Sequence, residues 1–99
     1  MPLPFIQGGN PKVYNLVLTL ADTEYAFTLA EDTLSFLLQS RGTSDLKVAF
    51  DPGESGTNYF TLKGSAVYYE EHIHSPITVY LQSSVAGTVV EFLYWGGKN

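Results

Sequence analysis

The sequence predicts an all-β fold: an eight-stranded β-sandwich of the jelly-roll or Greek-key kind, with an extended N-terminal arm. From Lys12 onward, short runs of alternating apolar and polar residues are separated by Gly, Asp, Asn and Ser. No stretch of ten or more positions keeps the 3.6-residue apolar period of a helix. Eight strands in two layers is the number found in a jelly roll.

The first eleven residues differ in composition from the rest. They contain three prolines and the break Gly8-Gly9-Asn10, which favour an extended segment over a paired strand. We therefore expect an arm over residues 1–11, a β-sandwich domain over 12–95 and a short tail over 96–99. An arm of this kind is suited to lie on a neighbouring protein.

The alternating runs predict the strands in order. Their ranges are 12–20, 24–29, 33–40, 46–50, 59–62, 65–70, 78–82 and 88–95. Turns at 21–24 and 84–87 predict two hairpins, each with one continuous apolar face. The predicted opposite residues are Leu20 with Tyr25, Leu18 with Phe27, Leu16 with Leu29, Leu81 with Val90, Val79 with Phe92, and Ile77 with Tyr94.

The last strand is apolar on both of its faces. Val90, Phe92 and Tyr94 alternate with outward-facing positions that include Leu93 and Trp95. A domain of 99 residues has one core, so the second face requires another cover, for which a protein subunit is the simplest choice. The predicted oligomer interface comprises Val17, Leu37, Tyr80, Val89, Leu93 and Trp95.

Composition excludes several classes of function. Hydrophobic residues make up 44% of the chain and charged residues 15%, which indicates a packed domain with a partly covered surface. A net charge of −5 without a basic stripe argues against nucleic acid binding. The chain has no cysteine for disulfides or thiolate metal sites. No run approaches the ~18 apolar residues of a membrane span, and the start lacks a signal peptide, so we expect a soluble, unexported chain.

Two stretches could in principle bind metal. His72 and His74 project from the same face of an extended strand and could hold zinc, but Pro76 follows and indicates a solvated loop. The loop 51–58 carries oxygen ligands but lacks the Asp-x-Asp-x-Asp-Gly spacing of a calcium loop. No Gly-x-Ser-x-Gly elbow accompanies the serines and histidines. We therefore predict no metal, no cofactor and no enzymatic activity.

Aromatic residues leave one alternative open. Tyr68, Tyr80 and Trp95 fall outside the predicted core and could stack on sugar rings. The alternative function is therefore a carbohydrate-binding or receptor-binding module.

Several stretches resemble small structural proteins encoded in the head gene clusters of tailed bacteriophages. These stretches are Thr-x-Tyr-x-x-Thr-Leu at 23–29, Phe-Leu-Leu-Gln-Ser-Arg-Gly at 36–42, Leu-Lys-Val-Ala-Phe at 46–50, Tyr-Phe-Thr-Leu at 59–62 and Val-Tyr-Leu-Gln-Ser-Ser-Val-Ala-Gly-Thr-Val-Val-Glu-Phe-Leu-Tyr-Trp at 79–95. The resemblance implies a virion component: a capsid decoration or cement protein, often trimeric, seated on the outer shell.

On that resemblance we expect a homotrimer that binds the major capsid protein. It would be made in the host cytoplasm and located on the capsid surface of the virion. The N-terminal arm lies outside the matching stretches, and from its apolar residues we infer a capsid-docking role for Leu3, Phe5 and Ile6.

Overall fold

The computed structural model describes residues 11–71 and 76–96, and within them the chain is all-β. It confirms the prediction of eight strands in two antiparallel layers. The strands are β1 (Pro11–Leu18), β2 (Tyr25–Thr28), β3 (Thr33–Ser40), β4 (Leu46–Ala49), β5 (Phe60–Leu62), β6 (Val67–Glu71), β7 (Thr78–Gln82) and β8 (Thr88–Gly96). None of the described residues belongs to a helix with the length and apolar character needed to cross a membrane.

The bounds of β3 and β7 equal the predicted ranges, and the other six strands differ from theirs by one or two residues at one or both ends. Pro11, which we expected to end the arm, is the first residue of β1. A proline is tolerated there because the first residue of an edge strand need not donate to the ladder. The inferred docking residues Leu3, Phe5 and Ile6 lie outside the described residues.

Each layer is a four-stranded sheet. The order is β1-β8-β3-β6 in the first sheet and β2-β7-β4-β5 in the second. Every pair of hydrogen-bonded neighbours is antiparallel. Consecutive strands β1 and β2 lie in different sheets, and so do β7 and β8, so the chain crosses between the layers at these two turns.

The two predicted hairpins are therefore wrong. Val79 pairs with Phe27 of β2, while Phe92 pairs with Tyr14 of β1 and with Leu38 of β3. Alternation determines which side of a strand is apolar, but it does not determine whether an apolar neighbour lies beside the strand or across the gap between layers.

The crossing turns are tied to one another. Asp22 N donates to Ser83 O at 2.7 Å, and Gly87 N donates to Leu18 O at 2.8 Å. Gly87 has a φ of 82°, a left-handed conformation that favours glycine. These bonds close the end of the sandwich where β1 crosses to β2 and β7 crosses to β8.

The core fills the space between the sheets. Its buried residues are Leu18, Leu29, Phe36, Leu38, Leu46, Val48, Leu62, Val79, Leu81, Val90 and Phe92. Phe27 of the second sheet meets Phe92 of the first at 4.5 Å between ring centroids and stacks on Tyr14 at 4.6 Å. The inward-facing side chains of both sheets thus form one core, and the outward-facing side chains do not take part in it.

Candidate functional site

The outer face of the first sheet carries a row of apolar side chains that crosses all of its strands. The register places Val13 of β1 beside Leu93 of β8, Leu93 beside Leu37 of β3, and Leu37 beside Tyr69 of β6. Strands in a sheet are about 4.8 Å apart, so this row is roughly 14 Å long. Val13 is 66% exposed and Tyr69 49% exposed.

Trp95 extends this row into a patch. It lies opposite Pro11 in the next row of the sheet, and its ring meets Tyr69 edge-on at 6.3 Å. We call the set Pro11, Val13, Leu37, Tyr69, Leu93 and Trp95 the apolar face. Contiguous apolar surface of this kind on a small domain usually marks a contact with another molecule.

Glu91 bounds the apolar face on one side. Arg41 Nε donates to Glu91 Oε2 at 2.8 Å, and Gln39 Nε2 donates to Glu91 Oε1 at 2.8 Å. These two bonds, the arginine's first, lower the pKa of Glu91. The carboxylate is thus charged and locally neutralised by Arg41, so it interrupts the apolar surface without leaving a lone charge there. Beyond it lies a smaller apolar pair, Val17 beside Val89.

The predicted interface residues divide between two surfaces. The outer face of the first sheet holds Val17, Leu37, Val89, Leu93 and Trp95. Tyr80 lies on the second sheet instead, between Ala26 and Ala49. Because β7 and β8 belong to different sheets, the outward-facing Tyr80 and Trp95 lie on opposite outer faces of the sandwich.

Sequence reasoning missed Val13 and Tyr69. The predicted hairpin pairs the strand of Val13 with β2, whereas the structure pairs it with β8 and places Val13 beside Leu93. Tyr69 follows Tyr68 in β6, and only their opposite orientations separate a core residue from a surface one. The sequence does show outward-facing apolar positions along β1. They indicate a wider apolar surface only when β1 is known to be the neighbour of β8.

The outer face of the second sheet is polar. Thr28 Oγ1 and Thr78 Oγ1 share a hydrogen bond of 2.8 Å across β2 and β7. Lys47 lies 5.1 Å from the ring centre of Tyr59. The apolar part of this face is limited to Tyr80 between Ala26 and Ala49.

An aromatic cluster lies at the side of the sandwich where β5 and β6 form the sheet edges. Tyr68 lies 5.3 Å from Phe60, 5.9 Å from Phe36 and 6.2 Å from Phe50 between ring centroids. Its hydroxyl donates to Glu70 Oε1 at 2.7 Å. Burial, and then this bond, raise the pKa of Tyr68 to about 12. The prediction that Tyr68 falls outside the core was wrong, because its ring packs against the buried cluster. The three aromatic residues considered for sugar binding lie in three separate places: Tyr68 at this side of the core, Tyr80 on the second sheet and Trp95 on the apolar face.

Of the two metal candidates, only the loop 51–58 lies within the described residues. His72 and His74 lie outside the described residues. Within 11–71 and 76–96, no three His, Cys, Asp or Glu side chains gather as a metal-binding group.

The loop 51–58 is held by protein groups. Glu24 accepts hydrogen bonds from Gly53 N at 2.9 Å and Ser55 N at 3.1 Å, as well as from the Ser55 hydroxyl. The bond from that hydroxyl is the largest cause of the lowered pKa of Glu24. Gln82 Nε2 in turn donates to Ser55 Oγ at 2.9 Å. This network accounts for the loop as a structural turn.

No protein-family model matches the chain, and no curated protein sequence matches it significantly. Among solved structures, the chain is similar to a solution NMR structure of a de novo designed double-stranded β-helix. The match has 16% sequence identity and a TM-score of 0.49, and it covers 87% of this chain and 96% of the designed chain. A likeness this weak has no bearing on function.

Proposed function

We propose that the protein is a noncatalytic structural component of a tailed-phage virion. It is a capsid decoration or cement protein that forms a homotrimer and binds the major capsid protein on the head surface. The observation that carries this proposal is the apolar face. Its exposed Val13 and Tyr69, together with Trp95, require a protein cover that one copy of the domain does not supply.

The proposal includes a jelly-roll topology. In the order β1-β8-β3-β6 opposite β2-β7-β4-β5, each sheet takes strands from both halves of the chain, and successive strands at both termini alternate between sheets. A double-sheet roll of eight strands is an architecture that capsid domains use. This strand order is the support for the finer description of the fold.

Adhesion is the mechanism that we propose. A protein that binds only the assembled shell stabilises that shell by its binding free energy, which grows with the ratio of its free concentration to its dissociation constant. Apolar area removed from water contributes about 25 cal/mol per Å² before the costs of association are subtracted. A trimer repeats each contact, which strengthens attachment to a repetitive surface.

Three carboxylates of the described residues stabilise turns and strands. The shifted pKa values of Glu24, Asp45 and Glu91 all fall, and hydrogen bonds from neighbouring groups are the main cause in each case. A general acid or base needs a pKa moved toward neutrality, which for a carboxyl means upward. These three carboxylates therefore act as anchors of turns and strands.

Binding to heads tests the proposal. Purified protein is mixed with phage heads that lack it, and the bound fraction is measured after sedimentation. We expect saturable binding and a higher temperature of head rupture. Trp95→Asp should abolish binding and weaken the oligomer, whereas the matched control Tyr80→Asp, on the other outer face, should bind as the wild type does. A protein that never associates with heads would contradict the proposed function.

A carbohydrate-binding or receptor-binding module is the second candidate. It is favoured by the adjacency of the Trp95 and Tyr69 rings on an open surface. The chain has one tryptophan, so its fluorescence reports directly on this site. Saturable quenching of Trp95 by a glycan selected on an array would support this candidate, and an emission unchanged at high glycan concentration would exclude it.

A further inference from the structure

We propose that copies of the chain join edge to edge, with β1 of one copy pairing antiparallel to β6 of the next. The resulting ring has its rotation axis parallel to the strands of the first sheet. This inference rests on the proposed trimer and deepens it, because it names the two different edges that meet.

Both strands are edges of the same sheet. Within the described residues, β1 pairs only with β8, and β6 pairs only with β3. β1 is eight residues long, and its first five residues are all exposed. β6 is exposed at four of its five positions. An edge strand presents a row of N–H and C=O groups that can pair with another chain, and long exposed edges are normally protected from this.

The sheet order determines which residues would meet. Directions alternate through β1, β8, β3 and β6, so β1 and β6 run antiparallel to each other. Rotation about an axis parallel to the strands keeps every residue at its height. Residues in one row of a copy therefore meet residues of the same row in the next. The rows place Val13 opposite Tyr69, Lys12 opposite Glu70, and Pro11 opposite Glu71.

These pairs are chemically complementary. Lys12 and Glu70 bring opposite charges together directly across the new strand pair, the favourable arrangement for facing residues. Glu70 accepts from Tyr68 through Oε1, so Oε2 is the oxygen available to Lys12. Val13 beside Tyr69 joins the apolar row of one copy to that of the next. The same register thus satisfies the charges and the apolar side chains together.

Pairing of identical edges is less favourable. Two β6 strands related by a two-fold axis bring two copies of Glu70 and Glu71 onto one seam, where like charges repel. Two β1 strands leave both β6 edges uncovered. Pairing of β1 with β6 is heterologous, and a heterologous contact that closes on itself forms a ring of three or more copies.

Sterics determine which face turns inward. The second sheet packs on the first at a spacing of about 10 Å. It has room only on the outside of a ring, where the circumference is larger. The apolar face therefore points toward the axis, and the rings of Trp95 and Tyr69 from all copies converge there. This accounts for the polar outer face of the second sheet, which remains in water.

Engineered cysteines test the pairing. The chain has no cysteine of its own. Positions 13 and 69 of one copy are three strand spacings apart, roughly 14 Å, which exceeds the Cα separation of about 7 Å that a disulfide can bridge. Any disulfide in the double variant Val13→Cys with Tyr69→Cys must therefore join two copies. We expect covalent trimers on a non-reducing gel, and none from either single variant.

Charge exchange gives a second readout. Lys12→Glu or Glu70→Lys alone should weaken the oligomer by roughly tenfold or more, because each sets like charges face to face. The double exchange should restore the wild-type dissociation constant measured by light scattering. Both positions are exposed, so the circular dichroism of the singles should match the wild type. Lys12→Glu should also keep the melting temperature, whereas Glu70→Lys additionally loses the bond from the Tyr68 hydroxyl.

The outcomes separate this inference from the proposed function. A wild type that binds heads, but whose double-cysteine variant forms no covalent trimer and whose double exchange restores nothing, overturns the edge pairing alone. Covalent trimers from a protein that does not bind heads support the pairing and overturn the proposed function. A monomeric wild type, or a two-fold dimer trapped by Val13→Cys alone, contradicts the pairing.

Discussion

The outer faces of the two sheets are built by the same alternation of side chains, yet they differ in chemistry. The second sheet turns threonines, Lys47 and Gln82 outward around Tyr80. Thr28 bonds to Thr78, Lys47 lies over the ring of Tyr59 and Gln82 donates to Ser55. The first sheet turns Val13, Leu93 and Trp95 outward. Both sheets already supply one complete core. This difference between the two outer faces is the reason that we propose a partner molecule for the first sheet.

The largest predicted effect is a difference in stability between substitutions on the inner face and on the outer face of β8. Phe92 is fully buried in the core, whereas its neighbour Leu93 faces outward. Phe92→Ala should lower the free energy of unfolding by about 3 to 5 kcal/mol, because it leaves a cavity. Leu93→Ala should cost under about 1 kcal/mol in the isolated domain, because a partly exposed side chain leaves no cavity when it is shortened. Urea denaturation at a concentration that keeps the protein monomeric measures both, and equal losses would contradict the division.

The next predicted effect is a difference in self-association between substitutions on the outer faces of the two sheets. Leu93→Asp places a charge at the centre of the apolar face and should weaken self-association roughly 100-fold. Thr61→Asp is the matched control, since Thr61 is exposed on the outer side of β5 in the second sheet. Sedimentation velocity across a concentration series measures both. If Thr61→Asp dissociates the oligomer as strongly, the subunit contact does not lie on the apolar face of the first sheet alone.

A smaller effect concerns the carboxylate that bounds the apolar face. The folded-state pKa of Glu91 is depressed, so its contribution to stability is present above the unfolded-state pKa and is lost as the pH falls through the folded-state pKa. Glu91→Gln should therefore lower stability at neutral pH, and it should flatten the acid side of the pH profile. The urea midpoint, followed from pH 7 down to pH 3, gives this comparison. A Glu91→Gln profile parallel to that of the wild type would show that Glu91 does not contribute to the pH dependence of stability.

The smallest effect belongs to the polar face. Lys47 interacts with the ring of Tyr59 at the surface. Such exposed contacts contribute about 0.5 to 1 kcal/mol at most. Lys47→Met should change the unfolding free energy by no more than that and should leave the oligomer mass unchanged in light scattering. A change in mass would show that the second sheet also takes part in assembly.

The sequence predicted the strands well because strand formation depends on local patterns. Runs of alternating residues ended by Gly, Asp and Asn placed β3 and β7 with their observed bounds. Six inward residues of the predicted hairpins are buried, namely Leu18, Leu29, Val79, Leu81, Val90 and Phe92. The prediction was wrong for Leu20, which is 60% exposed at the turn where the chain crosses between the layers. The predicted partners were wrong because every antiparallel neighbour of β1 and β2 is more than 40 residues away in the chain.

By itself, then, the sequence determined the class of fold, the number of strands and the two apolar faces of β8, since side-chain alternation is a property of each strand alone. Only the tertiary structure decided which strands are neighbours. The strand pairing places Val13 and Tyr69 in one row with Leu37 and Leu93, and it places Tyr80 on the opposite surface. The physical reason is that a surface is assembled across strands, and strand pairing depends on packing between residues distant in sequence.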